Sequence, residues 1–169
     1  HSLDKLLTRA NSSRELRQKF ASVTLEMARD IADAVGYLHS QQVGHYALKP
    51  SHVLLDSKMQ VKLTDYGREP EVILYSLSSV YDEDAAKTDA ALYMAPEMLR
   101  QENITSKCDV WSFGCLFARM TTCKPLYYRQ VSGQHADEQL IWMMRIAAGE
   151  IEPVSHLEGE NVSPGVRSL

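Results

Sequence analysis

A mainly α-helical chain with one small β-hairpin is what this sequence predicts, and three stretches carry the prediction. Leu16, Phe20, Val23, Met27, Ile31, Val35 and Leu38 recur at three- and four-residue steps, the mark of one long amphipathic helix. Short apolar runs at Val53–Leu55 and over residues 60–63 flank the polar cluster Asp56-Ser57-Lys58, which reads as two strands and a tight turn. Further on, Val110, Trp111, Phe113, Leu116, Phe117 and Met120 cover most of the circumference of a helix over 107–120, the pattern of a helix buried nearly all round.

Composition sets the bounds. With 169 residues, 44% hydrophobic and 24% charged, the chain is large enough for one domain with a real core. A net charge of −4 with scattered Lys and Arg excludes an electrostatic grip on nucleic acid or on an anionic membrane. The partners expected are other proteins. Cys108, Cys115 and Cys123 show no paired-thiol metal spacing and read as reduced thiols, Cys108 and Cys115 packed inside. No apolar run approaches membrane-spanning length, and a cytoplasmic location is expected.

The elements follow in order. Residues 12–15, Ser-Ser-Arg-Glu, have the capping-box form that starts the long helix, which ends near Ser40. Its stripe is wide, with Ala28, Ala32 and Ala34 beside it, and Met27 and Tyr37 read as core. After the hairpin, residues 68–92 are rich in Ser, Asp and Ala. The hydroxyls of Tyr75, Ser76, Ser78, Ser79, Tyr81 and Thr88 there read as parts of a solvated strap. The buried helix stops before Pro125, a polar loop follows, and Ile141, Met144 and Ile146 restore helical periodicity over 140–148, before Gly149. Trp142 and Met143 are expected to be partly exposed. His39, His135 and His156 share no spacing and read as surface residues.

The chemistry gathers over residues 45–67, where loops at the two ends of the hairpin bring His45, Lys49 and His52 near Asp65. The run His45-Tyr46-Ala47-Leu48-Lys49-Pro50-Ser51-His52 resembles the protein-kinase catalytic loop H-R-D-L-K-P-x-N, and Asp65-Tyr66-Gly67 resembles its D-F-G. Downstream, Tyr93-Met94-Ala95-Pro96-Glu97 is similar to the A-P-E segment. Residues 109–114, Asp-Val-Trp-Ser-Phe-Gly, are similar to the start of that family's central helix. Four motifs in order are a far stronger signal than any one of them.

The resemblance implies the helical C-terminal lobe of a kinase domain. Residues 1–169 would then be a partial domain truncated at both ends, with the N-terminal lobe and its phosphate-covering loop, Lys and Glu absent. It also implies roles. His45 packs on Tyr66, while Asp109 receives the backbone N–H groups of the loop at His45 and Tyr46, besides capping its own helix. Gly67 and Glu97 are structural. Leu54, Asp65 and Lys49 are the remnant of a nucleotide site, Leu54 beneath the adenine. Asp65 is the metal candidate and His52 a poor one, because magnesium prefers oxygen donors. Glu97 lacks its usual Arg partner, Arg167 belonging to an earlier helix.

Three chemical positions depart from the family: Tyr46 replaces the Arg, Ala47 the catalytic Asp, and His52 the metal-binding Asn. Loss of a general base alone costs about 10²–10⁴-fold. Tyr46 also lacks the guanidinium fork that clasps an activation-loop phosphate. No catalytic residue is therefore assigned, although Lys49 is retained, and ATP and magnesium are cofactors only of a full-length parent. The functional expectation is a pseudokinase-type regulatory or scaffolding module. The alternatives are a divergent ATP-dependent protein kinase of serine/threonine or tyrosine type, and a truncated product without activity.

Overall fold

The computed structural model of the chain describes residues 1–69, 89–126 and 136–151. Two helices open it, α1 (Leu3–Ser12) and α2 (Arg14–Ser40), joined at Ser13, whose extended backbone breaks the helical run. Ser13, not Ser12, caps α2: its hydroxyl accepts the Leu16 N–H at 3.4 Å. Ser12 is the last residue of α1, so the capping box falls out of register, and Glu15 pairs with Lys19 at 2.7 Å instead. At 27 residues α2 is about 40 Å long.

Only one stripe of α2 is buried, Phe20, Thr24, Met27, Ala28, Ile31 and Val35. Three apolar residues depart from the expectation, Ala32 among them, which is exposed. Tyr37 is 67% exposed and Val23 is exposed as well, and all three sit outside the arc that faces α1 and the hairpin. Val110 is likewise 65% exposed, so the later helix is buried on most of its surface but not all round.

The hairpin pairs β1 (Val53–Leu55) with β2 (Val61–Leu63), antiparallel, with Leu54 opposite Lys62. Val53 and Leu55 point into the core and Leu54 outward, the period-two alternation of a strand with one wet face. The turn is held by one side chain: Asp56 Oδ1 accepts the N–H groups of Lys58 and Gln60 at 2.8 and 3.0 Å. These bonds hold its carboxyl below the usual range, the Gln60 contribution being the larger. They also take the Gln60 N–H, so β2 begins at Val61 and not at residue 60.

The remaining helices are the short α3 (Pro96–Leu99), α4 (Cys108–Thr122) and α5 (Ala136–Ala147), with a 3-10 turn at Asp89–Tyr93 before α3. Helix α4 is the pillar. Its Leu116 and Met120 close a core with Leu3, Leu7, Ile31, Leu48 and Val53. Its Cys115 and Ala118 meet Tyr93, Leu126 and Ile146 on another side. Each fully buried Leu or Met contributes about 1.5–3 kcal/mol. Arg119 fastens the two sides, donating to the Tyr93 hydroxyl at 2.9 Å and to Asp4 of α1 at 2.8 Å. Cys123, in a left-handed conformation, ends α4 two residues before Pro125. Among the described residues no helix is long and apolar enough to cross a membrane.

Candidate functional site

The site begins with a buried carboxylate. Asp109, fully buried in the first turn of α4, accepts the His45 N–H at 2.7 Å and the Tyr46 N–H at 2.7 Å, one on each oxygen. His39 Nε2 lies 2.8 Å from the same oxygen as His45 N, and since a carboxylate can only accept, the imidazole N–H donates. Charge-assisted bonds of this kind are the strong ones. They hold Tyr46 at φ +58, a left-handed backbone that costs a non-glycine residue about 1–2 kcal/mol. Asp109 makes no bond to the end of its own helix, where the N-cap position Lys107 has no side-chain cap, so the expected capping role is absent. His39 is likewise not a free surface residue. The available signal was its place four residues beyond Val35, in line with the buried stripe of α2.

From this anchor the loop runs through the candidate positions. Gly44 is buried beneath the Tyr46 ring, and a Cβ there would overlap it. The His45 ring is fully buried, edge-on to Tyr66 with centroids 6.4 Å apart and parallel to His52 at 6.4 Å. Neither ring nitrogen finds a hydrogen-bond partner among the described residues. Burial holds its pKa below 6.5, although the negative charge of Asp109 pulls the other way. His45 is a neutral aromatic spacer.

Ala47 is half-buried against the cluster of Met94, Ala95, Met98 and Cys108. Its carbonyl accepts His52 Nδ1 at 2.8 Å. In the neutral ring this fixes the tautomer: Nδ1 carries the proton, and Nε2 carries a lone pair 4.0 Å from Asp65 Oδ2. Burial, chiefly, lowers the His52 pKa, and the positive charges of Lys49 and Arg68 add to the effect. The far side of the site is pinned to the near side by backbone. Gly67 N–H donates to Gly44 O at 3.2 Å, and Thr64 N–H to His52 O at 3.0 Å. Gly67 takes φ +72, which suits glycine, while Asp65 takes φ +60 without that licence. The Asp65 carboxylate receives Arg68 Nη2 at 2.6 Å.

The structure thus brings Ala47, His52 and Asp65 to one place, with Lys49 in the same loop and with Arg68 added, a residue whose sequence context is the strap. Its spacing of three from Asp65 was the signal. Leu54 lies on the open face of β1 and Tyr66 is half exposed, so both face outward. Glu97 stands apart, on α3, where Oε1 accepts the Cys108 thiol at 3.4 Å. Burial foremost pushes that thiol up to about 11. The hydroxyls between Tyr75 and Thr88, and His135, His156 and Arg167, lie outside the described residues, as does the side chain of Trp142.

Residues 2–169 match the protein kinase domain family. The chain belongs to that family. Among its relatives is the serine/threonine-protein kinase PKH2 of Saccharomyces cerevisiae, 33% identical over 126 residues, or 65% of this chain and 11% of the relative. Mitogen-activated protein kinase kinase kinase 3 of Homo sapiens is 35% identical over 104 residues, 62% of the chain and 16% of the relative. Extracellular signal-regulated kinase 7 of Drosophila melanogaster is 30% identical over 129 residues, 74% and 13%. The chain spans well under a fifth of the length of each of these relatives.

Membership invites a test of the family's metal chemistry. Magnesium takes near-octahedral oxygen donors. Of the two positions that would supply them, Asp65 is engaged by Arg68, and residue 52 is an imidazole with one nitrogen committed to the Ala47 carbonyl. Among the described residues no three His, Cys, Asp or Glu are gathered to hold an ion. The donor set does not fit the family's pair of magnesium ions.

Proposed function

We propose that this kinase-family chain is the helical, C-terminal lobe of a pseudokinase: a cytoplasmic signalling module that regulates or scaffolds by binding another protein and transfers little or no phosphate. One observation carries the reading. Where proton removal from an acceptor hydroxyl requires a carboxylate, Ala47 presents a methyl group turned against Met94, Ala95, Met98 and Cys108. The anchoring bonds at Asp109 support it from the other direction, since the loop is held with full hydrogen bonding although its acid is gone. A binding role for the exposed Ile141 and Met144 of α5 belongs to the same reading.

A second reading, a divergent ATP-dependent kinase, is favoured by the lone pair of His52 Nε2 beside Asp65, an imidazole able to accept a proton. The test is phosphate transfer from ATP to a generic protein acceptor by the full chain, compared with Asp65→Asn and His52→Ala. The proposal expects no turnover above background in any of the three. Turnover in the parent chain that disappears in both variants would overturn it in favour of the second reading.

A further inference from the structure

The disagreement between the donor set and the family's metal ions has a physical counterpart in the charges around Asp65. We propose that the loop pair formed by residues 49–52 and 65–68 receives a polyphosphate anion directly, without a divalent cation, the guanidinium of Arg68 and the ammonium of Lys49 supplying the positive charge.

Divalent ions serve a phosphate site by neutralising charge between carboxylates and phosphoryl oxygens, so their use is set by how many carboxylates stand there. Within residues 49–52 and 65–68 Asp65 is the one carboxylate, and it already holds Arg68 at 2.6 Å. Lys49 stands in the same loop as His52, three residues before it, and Arg68 lies on Asp65, so the two loops over 49–52 and 65–68 carry two cationic side chains and one carboxylate. The His52 ring adds no negative charge and turns its protonated nitrogen away, to the Ala47 carbonyl. A dication entering between these loops would compete with Arg68 for the Asp65 carboxylate. An incoming polyphosphate would meet a half-exposed guanidinium with donors to spare beyond the one given to Asp65, with the Lys49 ammonium in the other loop of the pair. Arginine's fork recognises phosphoryl oxygens as readily as carboxylate oxygens. The cradle is also set before the ligand arrives, since Gly67 to Gly44 and Thr64 to His52 tie the two loops together.

The ligand class rests on the kinase-lobe reading above; the metal independence rests on the geometry alone. Isothermal titration of the full chain with inorganic tripolyphosphate, with ATP and with adenosine, each in excess EDTA and again in millimolar magnesium, separates the terms. The expected result is binding of tripolyphosphate and of ATP in EDTA, undiminished affinity without magnesium, and weakening as salt is raised. Arg68→Gln, at an exposed position where folding is checked by circular dichroism, is expected to weaken tripolyphosphate by about tenfold, the loss of one charge-assisted contact. His52→Asp, which supplies a second carboxylate, is expected to make binding magnesium-dependent. Binding seen only with magnesium, binding of adenosine without tripolyphosphate, no binding in EDTA, or indifference to Arg68→Gln would each overturn the proposal. Phosphate transfer followed in the magnesium samples judges the pseudokinase reading separately, because turnover there would sink that reading while the EDTA comparison still decides this one.

Discussion

Two halves of one loop obey different rules. On the side of α4, the backbone at His45 and Tyr46 ends on a fully buried carboxylate whose oxygens accept three donors. Seven residues along, the half-buried His52 leans 4.0 Å from an Asp65 that has paired with its own neighbour, Arg68. The first half is saturated and dry, the second mispaired and wet. Since the two halves share a single stretch of chain, the contrast teaches that holding the loop and using it are physically separable. Burial makes the anchor costly to change, whereas solvent makes the chemical positions cheap to change.

That asymmetry is sharpened most by Asp109→Ala. The substitution strands two backbone N–H groups and an imidazole N–H in a buried place and releases a left-handed Tyr46, so a loss of about 3–5 kcal/mol is expected. Urea denaturation followed by circular dichroism measures it. A loss below about 1 kcal/mol, the range of an exposed contact, would dissolve the distinction between the halves. Arg119→Met comes next, with about 2 kcal/mol expected from its bonds to Tyr93 and to Asp4 at a nearly buried position.

The helical scaffold was legible because it is local. A stripe from Phe20 to Val35 repeats at helical spacing, and the Asp56 turn declares itself through residues two and four apart. Tyr37 and Val110 were misplaced because hydrophobicity says a residue can be buried, not that a neighbour exists to bury it. Two adjacent serines left the cap ambiguous by one residue. The bond from Arg119 to Asp4 spans 115 positions and leaves no local trace in either segment. At the site, the motif spacing brings Ala47, His52 and Asp65 together, whereas the pairing of Asp65 with Arg68 is set by the left-handed turn of the folded loop.

Acid tests the comparison through protonation. Burial lowers the pKa of both His45 and His52 below 6.5, so the folded chain resists the imidazolium form that the unfolded chain accepts freely. Stability is therefore full above pH 6.5 and declines as pH falls through the window below it, by at most about 1.4 kcal/mol per unit for each ring. Because the His45 ring nitrogens bond to nothing among the described residues, His45→Leu forfeits no hydrogen bond. The variant is expected to keep its stability at neutral pH to within about 1 kcal/mol and to show a flatter decline in acid, read from urea midpoints across that range. An unchanged slope would assign the acid sensitivity to another group.

The smallest effect is expected where an active kinase would show its largest. Asp65→Asn removes a carboxylate that is a third exposed, in a pair with a more exposed Arg68, and such pairs contribute about 0–1 kcal/mol to folding. Its thermal midpoint should stay close to that of the parent chain, and the residual shift should shrink further as salt screens the pair. If Asp65→Asn instead destabilised the chain as strongly as Asp109→Ala, the carboxylate would be a structural member of the loop pair. The mispaired half would then be held as firmly as the anchored one, and its freedom to lose chemistry without losing the fold would have no physical basis.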